Sequence, residues 1–156
     1  MSIKRAGWST FTREWRYSQR EVIRKETIID NFQLWVEDDI LCMRPSGPMT
    51  LAIADWISAA ALDILSRHES YYILGDLGAA GAIPPMIRRR LAEFGAAHPP
   101  RAIALFHVGL VSQGINALLF GALNLLGQRK LPWRQCEDEA AARQWLRAHR
   151  PAAVQP

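Results

Sequence analysis

The chain is poor in the residues that most directly announce chemistry. Its 156 residues include two cysteines and four histidines. Cys42 and Cys136 have no Cys-x-x-Cys spacing and each falls within a predicted strand. That excludes a thiolate zinc cluster and a disulfide framework, and leaves two small buried hydrophobes of a reducing compartment. His68, His98, His107 and His149 are scattered, with no pair at helical spacing. Neither a metal site nor a cofactor is expected. Long apolar runs are lacking too: the longest, "ALLFGALNLLG", falls far below membrane-spanning length, and the basic N-terminus has no apolar stretch of the signal-peptide kind. A cytoplasmic protein without a transmembrane segment is expected.

Charge is present but unevenly placed. Residues 1–30 hold seven basic residues against four acidic ones, a net +3 out of the chain's +4. The basicity therefore belongs to an N-terminal arm, and the rest of the chain is nearly neutral. Arg88, Arg89 and Arg90 form the only basic run beyond that arm, and three arginines on one helical turn read as a solvated face. Nucleic acid is not expected as a partner. With 49% hydrophobic residues the chain is sized for one core. The expected organisation is a basic, aromatic-containing arm (1–30), one folded domain (31–150) and a short tail (151–156).

What is there is a regular alternation of periods. "FQLWVEDDILCMRPSG" places Phe32, Leu34 and Val36 inward, turns at Asp38 and Asp39, and resumes with Ile40, Cys42 and Arg44, which predicts a hairpin. From Thr50 the spacing becomes helical, with Ile53, Ile57, Ala60, Ala61, Ile64 and Leu65 on one face. "YYILGDL" follows as a buried strand, and Pro84 and Pro85 open a helix striped by Ile87, Leu91 and Phe94. "AIALFHVG" is a fourth strand, and a helix is predicted from about Leu110 to Leu126, ending at Gly127. "PWRQC" is a last strand, and Asp138 caps a closing helix in which Glu139 pairs with Arg143 while Trp145 and Leu146 dock. The fold class is thus α/β, a mixed sheet of about five strands that is parallel after its first hairpin.

This order resembles the SpoIIAA-like branch of the STAS and SEC14 superfamily, small bacterial domains related to anti-sigma-factor antagonists. The similar stretches are "LCMRPSGPMT", "YYILGDLGAAG", "RAIALFHVG" and "EDEAAARQWL", which together span about Asn31 to His149. In the phosphorylation-switched antagonists the third strand ends in Asp, any residue, then Ser or Thr. Asp76 matches the acid, and the hydroxyl position falls on Gly78. No Ser or Thr occurs from Tyr71 to Val111. The resemblance therefore implies a STAS-like fold without the phosphorylation switch at its usual position.

The glycine-rich turn "GDLGAAGAIPP" does not suit phosphate binding. It lacks the Lys and Ser or Thr of a Walker loop, Asp76 and Leu77 break the dinucleotide pattern, and Pro84 and Pro85 remove N–H donors. A structural turn is expected, with glycines at positive φ and Asp76 bonding local amides. Ser112 with Glu137 or Asp138 and His149 follows the chain order of a hydrolase triad, but Leu110 stands where a nucleophile elbow needs glycine. Asp138 is better explained as a helix cap and His149 as a partner of the helix C-terminus, so the protein is expected not to be an enzyme. His107 reads as a hydrogen-bonded strand-end histidine.

The helix "LVSQGINALLFGALNLLG" is apolar nearly all round, relieved by Gln113, Asn116 and Asn124. Such a helix lies beneath a partner or beside an apolar cavity. The expected function is a non-catalytic regulatory domain that docks a protein partner or self-associates. Its surface would combine Asp76, Gly78 and His107 with Ser112, Gln113, Asn116 and Leu119. The alternative is an apolar or lipid-like small molecule, held between the Leu110 helix and the sheet, as the SEC14 side of the resemblance implies.

Overall fold

The computed structural model describes residues 27–29, 32–109 and 130–151. The predicted helix from Leu110, and with it Ser112, Gln113, Asn116 and Leu119, lies outside the described residues, as do residues 1–26 of the arm and 152–156 of the tail.

The first hairpin forms where the alternation places it. Strands β2 (Phe32–Glu37) and β3 (Ile40–Arg44) pair antiparallel from Glu37↔Ile40 to Gln33↔Arg44. Asp38 makes the turn possible by taking φ 57, a left-handed conformation that a short polar side chain tolerates. The two strands do not share one inward set, however. Phe32, Leu34 and Leu41 enter one core, whereas Cys42, with Trp35 and Ile40 packed against it, enters the core on the opposite face. Both faces of the sheet are covered, so each parity of residue finds an apolar layer.

Helix α1 (Leu51–Leu65) follows, capped by Thr50, whose hydroxyl accepts from the Ile53 N–H at 3.3 Å. Its predicted stripe is buried except for the half-buried Leu65, and it is widened by Ala54 and Trp56. Strand β5 (Tyr72–Asp76) then pairs parallel with β3. Helix α2 (Pro85–Ala97) begins on the two prolines. Strand β7 (Ala102–Phe106) joins β5 in parallel and all five of its residues are buried. The edge strand β8 (Trp133–Cys136) pairs parallel with β7, and helix α3 (Glu139–Ala148) closes the chain under its Asp138 cap.

Two features exceed the sequence reading. Thr27–Ile29 forms strand β1, antiparallel to β2, so the sheet has six strands in the order β1-β2-β3-β5-β7-β8 and begins inside the range assigned to the arm. Ser46–Gly47 (β4) and Ala79–Ala80 (β6) make a separate two-stranded parallel ladder. Helices α1 and α2 lie on one face of the large sheet, and α3 packs on the other against Tyr72, Leu74, Ala104 and Phe106.

Candidate functional site

The glycine-rich turn is a piece of backbone architecture. The Gly81 N–H donates to the Gly47 carbonyl at 2.8 Å and the Met49 N–H to the Ala82 carbonyl at 3.0 Å, extending the β4–β6 ladder across the carboxyl ends of the strands. Gly81 is required for proximity: a Cβ there would stand 2.4 Å from the Gly47 carbonyl carbon. At Gly75 a Cβ would stand 2.8 Å from Leu105 Cδ2, a side-chain end that can move aside. The expectation of positive φ in this turn is corrected, since the positive-φ glycine among the described residues is Gly47, at 86°. Close approach to backbone, not left-handed conformation, explains Gly81.

Beneath this ladder lies an apolar cavity of about 130 Å³. Met43, Ile73, Ile103 and Leu105 of the sheet form its floor. Ile57 and Ala61 of α1 and Leu91 and Phe94 of α2 form its walls. Gly47, Ala80 and Gly81 bound the ladder end, and Tyr71 and Pro100 the other. Among the described residues no charged side chain lines it. Among the described lining residues Tyr71 alone has a side-chain oxygen or nitrogen, and its hydroxyl donates to the His98 carbonyl at 2.9 Å. The cavity is therefore built for an uncharged guest with little hydrogen-bonding capacity.

On the opposite face, at the same end of the sheet, the sequence candidates Asp76, Gly78 and His107 come together. Asp76 Oδ1 accepts from the Gly78 N–H at 3.2 Å and lies 3.0 Å from His107 Nδ1, and its Oδ2 accepts from Arg44 Nε at 3.1 Å. Burial alone raises the Asp76 pKa. The hydrogen bonds from His107, Gly78 and Arg44 outweigh it and leave the carboxyl below its ordinary value. His107 stands at φ 52, left-handed for a side-chain-bearing residue, and half of its side chain is exposed. The sequence reading missed Arg44 as a member of this cluster. Its only signal was the strand register, which puts Arg44 at the end of β3, one residue beyond the Met43↔Gly75 pair.

Of the residues in hydrolase order, Ser112 lies outside the described residues, and Asp138 and His149 stand at opposite ends of α3. Asp138 Oδ1 accepts the Ala141 N–H at 2.8 Å, as a cap. His149 bonds the Trp145 carbonyl at 2.9 Å at the far end of a ten-residue helix, roughly 15 Å away at about 1.5 Å per residue. Among the described residues no group of three or more His, Cys, Asp or Glu side chains is placed to hold a metal ion. Among them, too, no helix is long and apolar enough to cross a membrane.

Fold and sites together define an α/β domain with a mixed, mostly parallel sheet covered on both faces, an apolar chamber on one side and a carboxylate-centred cluster on the other. No protein-family model matches the chain, and no curated protein does.

Proposed function

We propose that this protein is a non-catalytic, STAS-like cytoplasmic domain that binds a small apolar molecule in the chamber between α1, α2 and the sheet. The observation that carries the reading is the chamber itself: about 130 Å³, with no charged side chain among the described residues that line it. An apolar cavity of about 150 Å³ in an otherwise packed interior stays dry and takes up benzene. Protein interiors otherwise leave few voids larger than a water molecule. The STAS-like assignment is supported by the order of elements, and the cytoplasmic one by the two free cysteines. Among the described residues the chamber's walls come from α1 and α2; the Leu110 helix, beside which the sequence reading put a ligand, lies outside them.

The test is a titration with benzene, and with cyclohexane as a non-aromatic probe of similar size, followed by methyl NMR at Ile57, Leu91 and Ile103. Saturable shifts at these methyls in wild type, lost in Ala61→Leu, are expected. Absence of saturable shifts, or shifts that survive Ala61→Leu in a protein of unchanged fold, would remove the reading.

Docking of a protein partner is the second reading, and one observation favours it. Leu51 and Met86, in the first turns of α1 and α2, are 43% and 72% exposed. Two large apolar side chains presented at one end of the domain suit a partner surface. Gel filtration with light scattering tests the self-association form of this reading: a dimer weakened in Met86→Ser supports it, and a monomer at all concentrations removes it.

A further inference from the structure

The chamber between α1, α2 and the sheet is drawn out along the strands. Its floor takes alternate residues from two of them: Leu41, Met43 and Pro45 follow β3, and Tyr71, Ile73 and Leu77 follow β5. From Tyr71 to Leu77 the chain covers about 20 Å at about 3.3 Å per residue. The same void also reaches Gly47 and Gly81, in and beside the ladder beyond Leu77. Neither has a side chain with which to reach inward, so the space itself comes up to the ladder. A volume of about 130 Å³ gathered into a sphere would span well under half of that distance. The void is therefore long and thin.

Its two ends differ. Tyr71, Pro100 and Ala61 bound the far end and are buried. That end is fastened by two hydrogen bonds at Tyr71: the Arg101 N–H donates to its carbonyl at 2.7 Å, and its hydroxyl donates to the His98 carbonyl at 2.9 Å. What faces the void there is hydrocarbon, and a polar group buried against it without a partner would cost binding. At the ladder end Met49, Ala80, Gly81 and Ile83 line the same void and are only half-buried, within reach of water. Among the described residues the chamber is thus blind at Tyr71 and open at the ladder. Resting on the chamber as a binding site, we propose that its guest is a single unbranched alkyl chain, inserted methyl end first toward Tyr71 with its polar end at the β4–β6 ladder. A chain of methylenes is thin enough to follow the void and has nothing to hydrogen-bond along its length, and each methylene taken out of water adds to affinity. A ring of the same carbon number is wider and fills less of the length.

Paired probes separate the shape of the guest from its hydrophobicity. Hexan-1-ol and cyclohexanol, equal in carbon number and each with a single hydroxyl, would be titrated into the full-length protein and followed at the Ile57, Leu91 and Ile103 methyls. Each affinity is then corrected for the compound's own partition into octanol. Hexan-1-ol is expected to bind at least about fourfold tighter after that correction, the factor that one buried methylene of about 0.8 kcal/mol represents. From butan-1-ol to decan-1-ol the uncorrected affinity should rise by about the same factor per carbon and then level off once the chain meets the blind end. Ala61→Val, beside that end, should bring the levelling to a shorter alkanol. In wild type at saturation, the terminal methyl of hexan-1-ol should give NOEs to the Tyr71 ring, and the carbon bearing the hydroxyl should give them to the Ala80 and Ile83 methyls. Equal corrected affinities for chain and ring, or NOEs from the hydroxyl-bearing carbon to the Tyr71 ring, would overturn the proposal while leaving the chamber a binding site. No saturable shift with either alcohol or with benzene would remove the chamber reading and the proposal with it. If Ala61→Val does not fold, the wild-type NOEs decide.

Discussion

Arg143 grips Glu37 across 106 positions of sequence, with Nη1 on Oε2 at 2.7 Å and Nη2 on Oε1 at 3.0 Å. The contact ties the middle of α3 to the end of β2. Trp35 adds its indole N–H to Oε1 at 2.8 Å, and Glu139 takes the remaining edge of the guanidinium at 2.7 Å. A paired arginine fork on a carboxylate is the strong form of ion pair. The hydrogen bonds from Arg143 are the largest influence on Glu37. Against the opposing effect of burial, they bring its pKa down to about 2 from the ordinary 4.5.

Stability should therefore depend on pH through Glu37, with a definite sign. A carboxyl whose pKa is depressed on folding stabilises the native state fully above its unfolded value, near 4.5, and loses that contribution as pH falls toward about 2. The side chain is 40% exposed, so after discounting for solvent screening the contribution is about 1 kcal/mol. Urea denaturation of wild type and Glu37→Gln at pH 7 and pH 2.5 would check it. The difference between the two proteins should be present at pH 7 and should have mostly gone at pH 2.5.

Gly81 and Gly78 look equivalent in the sequence, yet they should respond oppositely to one methyl group. A Cβ on Gly81 meets Gly47 and Pro48 backbone atoms at 2.4–2.6 Å, whereas on Gly78 it meets His107 Cβ at 3.4 Å and Asp76 Oδ1 at 3.5 Å, ordinary contact. Gly81→Ala is expected to cost about 2–3 kcal/mol by forcing β4 and β6 apart. Gly78→Ala should lie within about 0.5 kcal/mol of wild type or gain slightly through the unfolded chain. Shifts in the urea midpoint would separate the two.

The contrast also shows how far sequence reading reaches in this fold. Hydrophobic period is a local signal, and it located β2, β3, β5, β7, β8 and all three described helices. Asp138 announced its cap because an N-cap is decided within three residues. The β4–β6 ladder was invisible, since two-residue strands carry no period and the partners are 33 positions apart. Of the expected site, Asp76, Gly78 and His107 do converge, but Arg44 joins them through strand register alone. The chamber is lined jointly by β3, β5, β7, α1 and α2, and no single stretch of residues encodes that assembly.

The two cysteines should be slow toward thiol reagents, and unequally so. Cys42 is fully buried, and burial, aided by the nearby Glu37 charge, pushes its thiol up to about 12. Burial also raises Cys136, but that residue is only half-buried on the edge strand β8. The thiolate is the nucleophile, so at pH 8 almost none of Cys42 is reactive. Iodoacetamide under native conditions should modify Cys136 first and leave Cys42 untouched until denaturant is added, which peptide mapping at timed intervals would show.

Tyr71 offers a test of the chamber's inner end that does not depend on any ligand. The residue is 2% exposed, its ring lines the cavity, and its hydroxyl points out of it to the His98 carbonyl. Tyr71→Phe keeps the lining but leaves that carbonyl short of a donor, so a loss of about 1 kcal/mol at pH 7 is expected, with benzene uptake unchanged. Burial also raises the phenol's pKa well above its ordinary 10. A group whose pKa is raised on folding contributes its stability below the unfolded value and loses it as pH climbs toward the folded one. Wild type should therefore weaken above pH 10 as the unfolded chain ionises its tyrosine while the native one resists. Tyr71→Phe, having no phenol there to ionise, should weaken less over the same interval, and the two stability curves should converge as pH rises. Denaturant midpoints measured from pH 7 to pH 11 would trace both curves; parallel curves would mean that the phenol is not confined as the structure places it.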